Sequence, residues 1–150
     1  MTRRRFPAHA LSAIESAITT VEARHAGEMR FVIETALDVS ALFADRTPRE
    51  RAVEVFSQYR VWDTANNNGV LIYLLMAEHD VEIIADRGIA AKVSDAEWQA
   101  VCQEMETHFR AGRFREGAIA GVEGVAALLA RHFPHEGGDR NEQPNRPILL

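Results

Sequence analysis

The residues of this chain best suited to chemistry are oxygen donors gathered in its connecting segments. Asp63 and Asn66-Asn67-Asn68 precede one apolar run, Asp86 follows the next, Asp95 opens the segment after that, and Glu34 ends an earlier β-rich run. Carboxylates, amides and backbone carbonyls of this kind suit a hard cation such as calcium or magnesium. The candidate cation ligands are Asp63, Asn67, Asn68, Asp86 and Asp95, although their spacing is looser than that of an EF-hand loop. Arg87, beside Asp86, is a candidate phosphate contact or the partner of that acid in an ion pair. The same residues also have mechanical uses. Asp63 and the asparagines can shape a turn through side-chain to backbone bonds, and Asp95 stands where a carboxylate stabilises a helix start.

Other catalytic signatures are missing. There is no glycine-rich phosphate loop ending in Lys-Ser/Thr, no G-x-G-x-x-G, no G-x-S-x-G elbow, no H-E-x-x-H and no paired C-x-x-C. These absences argue against nucleoside triphosphate hydrolysis, serine-hydrolase chemistry and structural zinc. The histidines are scattered, with His108 and His132 in the last turns of expected helices, where a cation complements the helix dipole. Cys102 lies on an apolar helical stripe and reads as inert core.

Several elements must position these groups. After Pro7, Leu11, Ile14, Ile18 and Val21 recur at helical spacing. Met29 to Leu37 reads as a first strand. Thr47-Pro48-Arg49-Glu50 has the form of a capping box with proline at the first helical position, and predicts a helix from Pro48 to about Trp62. Its expected buried stripe is Ala52, Val55, Phe56, Tyr59 and Trp62. The uncharged run Val70 to Ala77 reads as a central strand covered on both faces. Only Glu78-His79-Asp80 separates it from Val81 to Ala85, so these two strands should be antiparallel. Ser94-Asp95-Ala96-Glu97 repeats the capping box ahead of a stripe of Trp98, Val101, Cys102, Met105 and Phe109. A last helix from Phe114 to Phe133 should bury Ile119, Val122, Val125, Ala126 and Leu129, with Gly117, Gly121 and Gly124 permitting close approach of a neighbour.

This order, a βαβ unit followed by a hairpin, predicts an α/β fold: a three-layer α/β/α sandwich around a mixed sheet. The loops carrying Asp63, Asn67 and Asp86 should then come together, at the kind of sheet end where open α/β folds place ligands. The domain is expected over residues 1–134. Residues 135–150 form an expected disordered tail, with Ile148-Leu149-Leu150 a frayed end rather than a docking motif.

Composition limits the setting. At 150 residues and 47% hydrophobic, the chain can bury one core. A net charge of -5 disfavours nucleic acid as a partner. Arg3-Arg4-Arg5 is not followed by a clean apolar run, no segment has transmembrane length, and one cysteine permits no internal disulfide. A soluble, cytoplasmic protein is expected.

The chain resembles the TPM domain family, found in phosphatase-like photosystem-repair proteins of the thylakoid lumen and in many bacterial envelope proteins. The resemblance rests on Asn68-Gly69-Val70-Leu71, Val81-Glu82-Ile83, Gly88, Ser94-Asp95 and, most specifically, Phe109-Arg110-Ala111-Gly112 with Phe114, Gly117 and Ala120-Gly121-Val122. It covers about residues 8–133. It implies an α/β/α sandwich and, from the plant members, an acid phosphatase with a divalent cation site; many bacterial members have no settled activity. This sequence departs from the pattern where Asn67 replaces a frequent Asp and Ala90 stands at the acid position of a Gly-x-Gly-x-Glu turn, whose first glycine position is taken by Asp86. Two functions follow. The first is a noncatalytic binding or scaffold module acting on a protein partner, linked to envelope or protein maintenance. The alternative is a calcium- or magnesium-dependent phosphatase of phosphate monoesters, with Asp63, Asp86 and Asp95 holding the cation and Arg87 steadying the phosphate.

Overall fold

The computed structural model describes residues 2–37, 46–134 and 141–150. Helix α1, Ala8–Val21, buries Ala10, Ile14, Ile18 and Val21 along one stripe, as its periodicity predicts. Strand β1 runs Glu28–Glu34. It stops short of Leu37 because its neighbour β2, Gly69–Leu75, ends opposite Glu34 and gives way to a helical turn at Met76.

Helix α2, Pro48–Gln58, begins as expected: the Glu50 backbone N–H donates to the Thr47 hydroxyl at 3.1 Å. It ends four residues before Trp62. Arg60 takes a left-handed conformation, φ 56°, and the Val61 N–H returns to the Phe56 carbonyl at 3.0 Å. That reversal buries Val61 and leaves Tyr59 and Trp62 exposed, which corrects the expected stripe.

Every residue of β2 is buried, in keeping with a strand covered on both faces. A single helical turn, Met76–Glu78, and a left-handed His79 reverse the chain into β3, Asp80–Ala85. Helix α3, Asp95–Arg110, opens on a reciprocal capping box between Ser94 and Glu97. Helix α4, Phe114–His132, follows the turn at Gly112, where φ is 79°. Along α4, Ala118 takes the buried place expected for Ile119, which stays half-buried.

The sheet order is β3-β2-β1-β4. β1 and β2 are parallel, from Glu28 opposite Gly69 to Glu34 opposite Leu75, and β3 is antiparallel to β2, from Val70 opposite Ala85 to Leu75 opposite Asp80. Alternate residues face opposite layers. Met29, Phe31, Ile33, Val70, Ile72 and Leu74 pack with α1, α3 and α4, whereas Val32, Leu71, Tyr73 and Leu75 pack with Ala52 and Val55 of α2. The molecule is therefore an α/β/α sandwich with a mixed sheet.

The chain end differs from the expected frayed terminus. Ile148–Leu149 forms β4, parallel to β1 through Val32–Ile148 and Ile33–Leu149 pairs. Residues 135–140 of the expected tail lie outside the described residues.

Candidate functional site

Parallel pairing sets the starts of β1 and β2 at one end of the sheet, and antiparallel β3 brings its own end back there. Three main-chain bonds fix the junction. The Glu28 N–H donates to the Asn68 carbonyl at 2.9 Å, the Asp86 N–H to the Gly69 carbonyl at 2.9 Å, and the Gly88 N–H to the Asn67 carbonyl at 3.0 Å. Asn67, Asn68 and Asp86 thus meet, and Asp63 belongs to the same loop. This is the amino end of the parallel pair, opposite to the carboxyl end that open α/β sheets commonly use. Glu34 is not part of it. It stands at the far end of β1, where Arg51 grips its carboxylate with two bonds of 2.8 and 3.0 Å and the Tyr73 hydroxyl donates a third at 2.6 Å.

The acids at the junction have local engagements. Asp86 caps the helical turn Arg87–Ala90, its Oδ1 accepting the Arg87 N–H at 2.7 Å. Asp63 pairs with Arg60 at 2.9 Å. Asp95 is exposed in the first turn of α3. The Arg87 side chain is exposed and, among the described residues, forms no ion pair with Asp86 or any other acid. No three His, Cys, Asp or Glu side chains among the described residues are grouped as a metal ion would require.

What converges is main chain and amide. A Cβ on Gly88 would stand 2.5 Å from the Asn67 carbonyl oxygen and 2.8 Å from that of Asn66, so only glycine permits this approach. Asn67 adopts φ 51°, a conformation asparagine tolerates better than most residues. Asn68 is 9% exposed; its Nδ2 donates to the Ala26 carbonyl at 2.5 Å, while its Oδ1 is buried with no hydrogen-bond partner.

Beside this junction is a pocket of about 330 Å³ lined by Asn66, Asn68, Gly88, Lys92, His132 and Phe133, among others. The Lys92 ammonium lies 5.2 Å from the centroid of the Phe133 ring and has no carboxylate partner among the described residues. His132 Nε2 is 3.2 Å from Glu97 Oε2. The Ser94 backbone N–H, followed by His132, holds the Glu97 carboxyl down at about 2. The wall thus carries an ammonium, the Asn66 amide, an imidazole and an aromatic ring, whereas the Asn68 amide is withdrawn, its oxygen buried and its nitrogen bonded to Ala26.

Lys92 and Phe133 have no motif in the sequence, and His132 carries only the signal of a helix end. Pro134 bridges to His25 and so brings the end of α4 to the junction, a contact between distant segments that no local pattern announces. Glu28 has no sequence signal either. It is 6% exposed, and its Oε1 accepts the Glu142 N–H at 2.9 Å. Burial pushes its carboxyl up to about 7 against that bond, with Glu22 and Glu142 adding to the rise.

The family model of the TPM domain matches residues 6–128. The chain belongs to the TPM domain family. It is similar to the BA42 protein of the psychrophilic bacterium Bizionia argentinensis, with 30% identity and a TM-score of 0.82 over 95% of this chain and 94% of that one. The N-terminal domain of a P. gingivalis protein shares the fold, with a TM-score of 0.64 at 22% identity over 81% of this chain and 75% of that one. No curated protein matches the chain. Among the described residues, no helix is long and apolar enough to cross a membrane.

Proposed function

We propose that this TPM domain is a noncatalytic binding module for a protein partner, linked to envelope or protein maintenance, and that the pocket beside Asn68 and Lys92 is its recognition site. One observation carries the reading: the Asp86 and Asp63 carboxylates at the junction are spent on a helical cap and an ion pair, while the pocket beside them is lined by the Lys92 ammonium, the Asn66 amide, the Phe133 ring and the His132 imidazole that Glu97 holds. Such a wall suits a peptide side chain or main-chain carbonyl. An ammonium resting on a ring can receive an acidic or carbonyl oxygen without first breaking an ion pair.

A phosphatase of phosphate monoesters is the second reading, favoured by the close approach of Gly88, two residues after Asp86, to the Asn66 and Asn67 carbonyls, which brings hard oxygen donors to one junction. In that reading Asp86 would be the principal charged ligand of calcium or magnesium, and the cation would polarise a phosphoryl oxygen. The fit is poor. Asp63 would first have to leave Arg60, and Asp95 contributes only from an exposed helix start. Hydrolysis of p-nitrophenyl phosphate with saturating calcium or magnesium separates the two readings. The module reading expects no turnover above buffer, and turnover that disappears in Asp86→Asn would overturn it.

A further inference from the structure

The pocket beside the junction is held on both sides by main-chain bonds. On one side the Lys92 N–H donates to the Ile89 carbonyl at 3.0 Å, and Ile89 and Val93 are both buried, so the backbone that carries Lys92 is anchored in the core. On the other, the Phe133 N–H returns to the Leu129 carbonyl at 2.6 Å and the Phe133 carbonyl accepts the Ala26 N–H at 2.9 Å. A site whose backbone is fixed in this way loses little further freedom when it is filled.

Its charge runs against that of the molecule. The chain carries a net charge of -5, yet among the described residues none that lines this pocket is an acid. Glu97, the acid that reaches the wall, is already occupied: its Oε1 accepts the Ser94 N–H and hydroxyl, each at 3.0 Å, and its Oε2 lies 3.2 Å from His132 Nε2. That leaves the Lys92 ammonium unbalanced, with no carboxylate partner among the described residues. The exposed Asn66 amide likewise has no hydrogen-bond partner among them. A volume of about 330 Å³ stands at the low end for ligand sites, enough for the end of one residue and not for a length of chain.

We propose, resting on the binding-module reading above, that the occupant is a single carboxylate on a short apolar stem, borne by a residue of the partner protein as an aspartate or glutamate side chain or as its terminal carboxyl group. One oxygen meets the Lys92 ammonium and the other the Asn66 amide N–H, while the stem lies along Phe133 and Pro134. One positive charge then balances one negative charge. A phosphate monoester carries about two, so part of its charge would go unmatched here.

The test is a set of small probes titrated into the full chain and followed by its amide shifts. N-acetylglutamate N-methylamide offers a side-chain acid and N-acetylleucine a terminal one; N-acetylglutamine N-methylamide and N-acetylleucinamide are their neutral counterparts. At least one acid should shift Asn66, Lys92 and Phe133 saturably and bind about five-fold more tightly than its counterpart, the upper end for an exposed ion pair. The tighter acid identifies the source of the carboxylate. Lys92 is exposed, so Lys92→Gln should leave the rest of the spectrum unchanged and abolish the preference for acid. A preference that survives Lys92→Gln, or no saturable shift from any probe, would overturn the proposal. Equal binding of acid and amide would also overturn it but leave the binding-module reading standing, with a carbonyl as the recognised group. Tighter binding of phenyl phosphate than of either acid would overturn it in favour of a phosphate site, and turnover of p-nitrophenyl phosphate would then decide separately whether the module reading falls.

Discussion

Glu28 is where a single residue most clearly couples the chain's distal segment to the junction. Its N–H binds the Asn68 carbonyl and its carboxylate receives the Glu142 N–H, so one residue of β1 touches both. Burial raises its folded pKa to about 7, above the ordinary carboxylate value. Below the ordinary range the group is neutral in both folded and unfolded chains. Between that range and about 7 the unfolded chain ionises while the folded one resists, so stability falls as pH rises through this window and levels off above it. Each tenfold change in proton affinity between the two states is worth about 1.4 kcal/mol, and the loss should be roughly 1–3 kcal/mol. Urea melts at pH 5 and pH 8 should reveal it, and Glu28→Gln should remove this residue's share. Glu82, also raised to about 7 by burial and then by Asp80, will leave a residual slope. A Glu28→Gln variant with an undiminished slope would show that its carboxyl is solvated in the folded chain.

Among the elements, the α3–α4 pair is the most tightly specified. A Cβ on Gly121 would collide with the Met105 side chain, one on Gly117 would meet the Phe109 ring at 2.7 Å, and one on Gly124 would stand 3.1 Å from Val101. The helix cost of these glycines is thus offset by close packing against α3. Gly121→Leu should destabilise the fold by about 1–3 kcal/mol through overpacking, read as a lowered melting temperature. An unchanged melting temperature would mean that Met105 can swing clear. These elements are legible because their signals are local: capping residues in sequence at Thr47 and Ser94, an uncharged run at β2, and apolar periodicity in α1, α3 and α4. Sequence and structure part where tertiary contacts decide. Nothing near Arg60 announces its left-handed turn, so helical periodicity extends the stripe to Trp62, in a core that Val61 occupies. Ile148 and Leu149 are too short a run to signal a strand, and become one only because β1 offers an edge.

For the whole molecule, the order of strands places Asn67, Asn68 and Asp86 together, and that much of the site can be read from βαβ and hairpin connectivity alone. Side-chain direction cannot. Asp63 turns to Arg60, Asp86 caps its own turn, and Glu34 is taken to the other end of the sheet by parallel pairing. Lys92 and Phe133 reach the pocket through the meeting of the turn after β3 with the end of α4, elements more than thirty residues apart in the chain. The result is a TPM domain whose sheet end is rich in amides and poor in available carboxylates. Calorimetric titration of calcium and magnesium into the chelator-stripped full chain tests this most directly. The account predicts no association tighter than about the millimolar range for either ion, as expected where a site offers one capping carboxylate and backbone carbonyls. Stoichiometric binding in the micromolar range, lost in Asp86→Asn, would contradict it and restore a cation-dependent enzyme as the better reading.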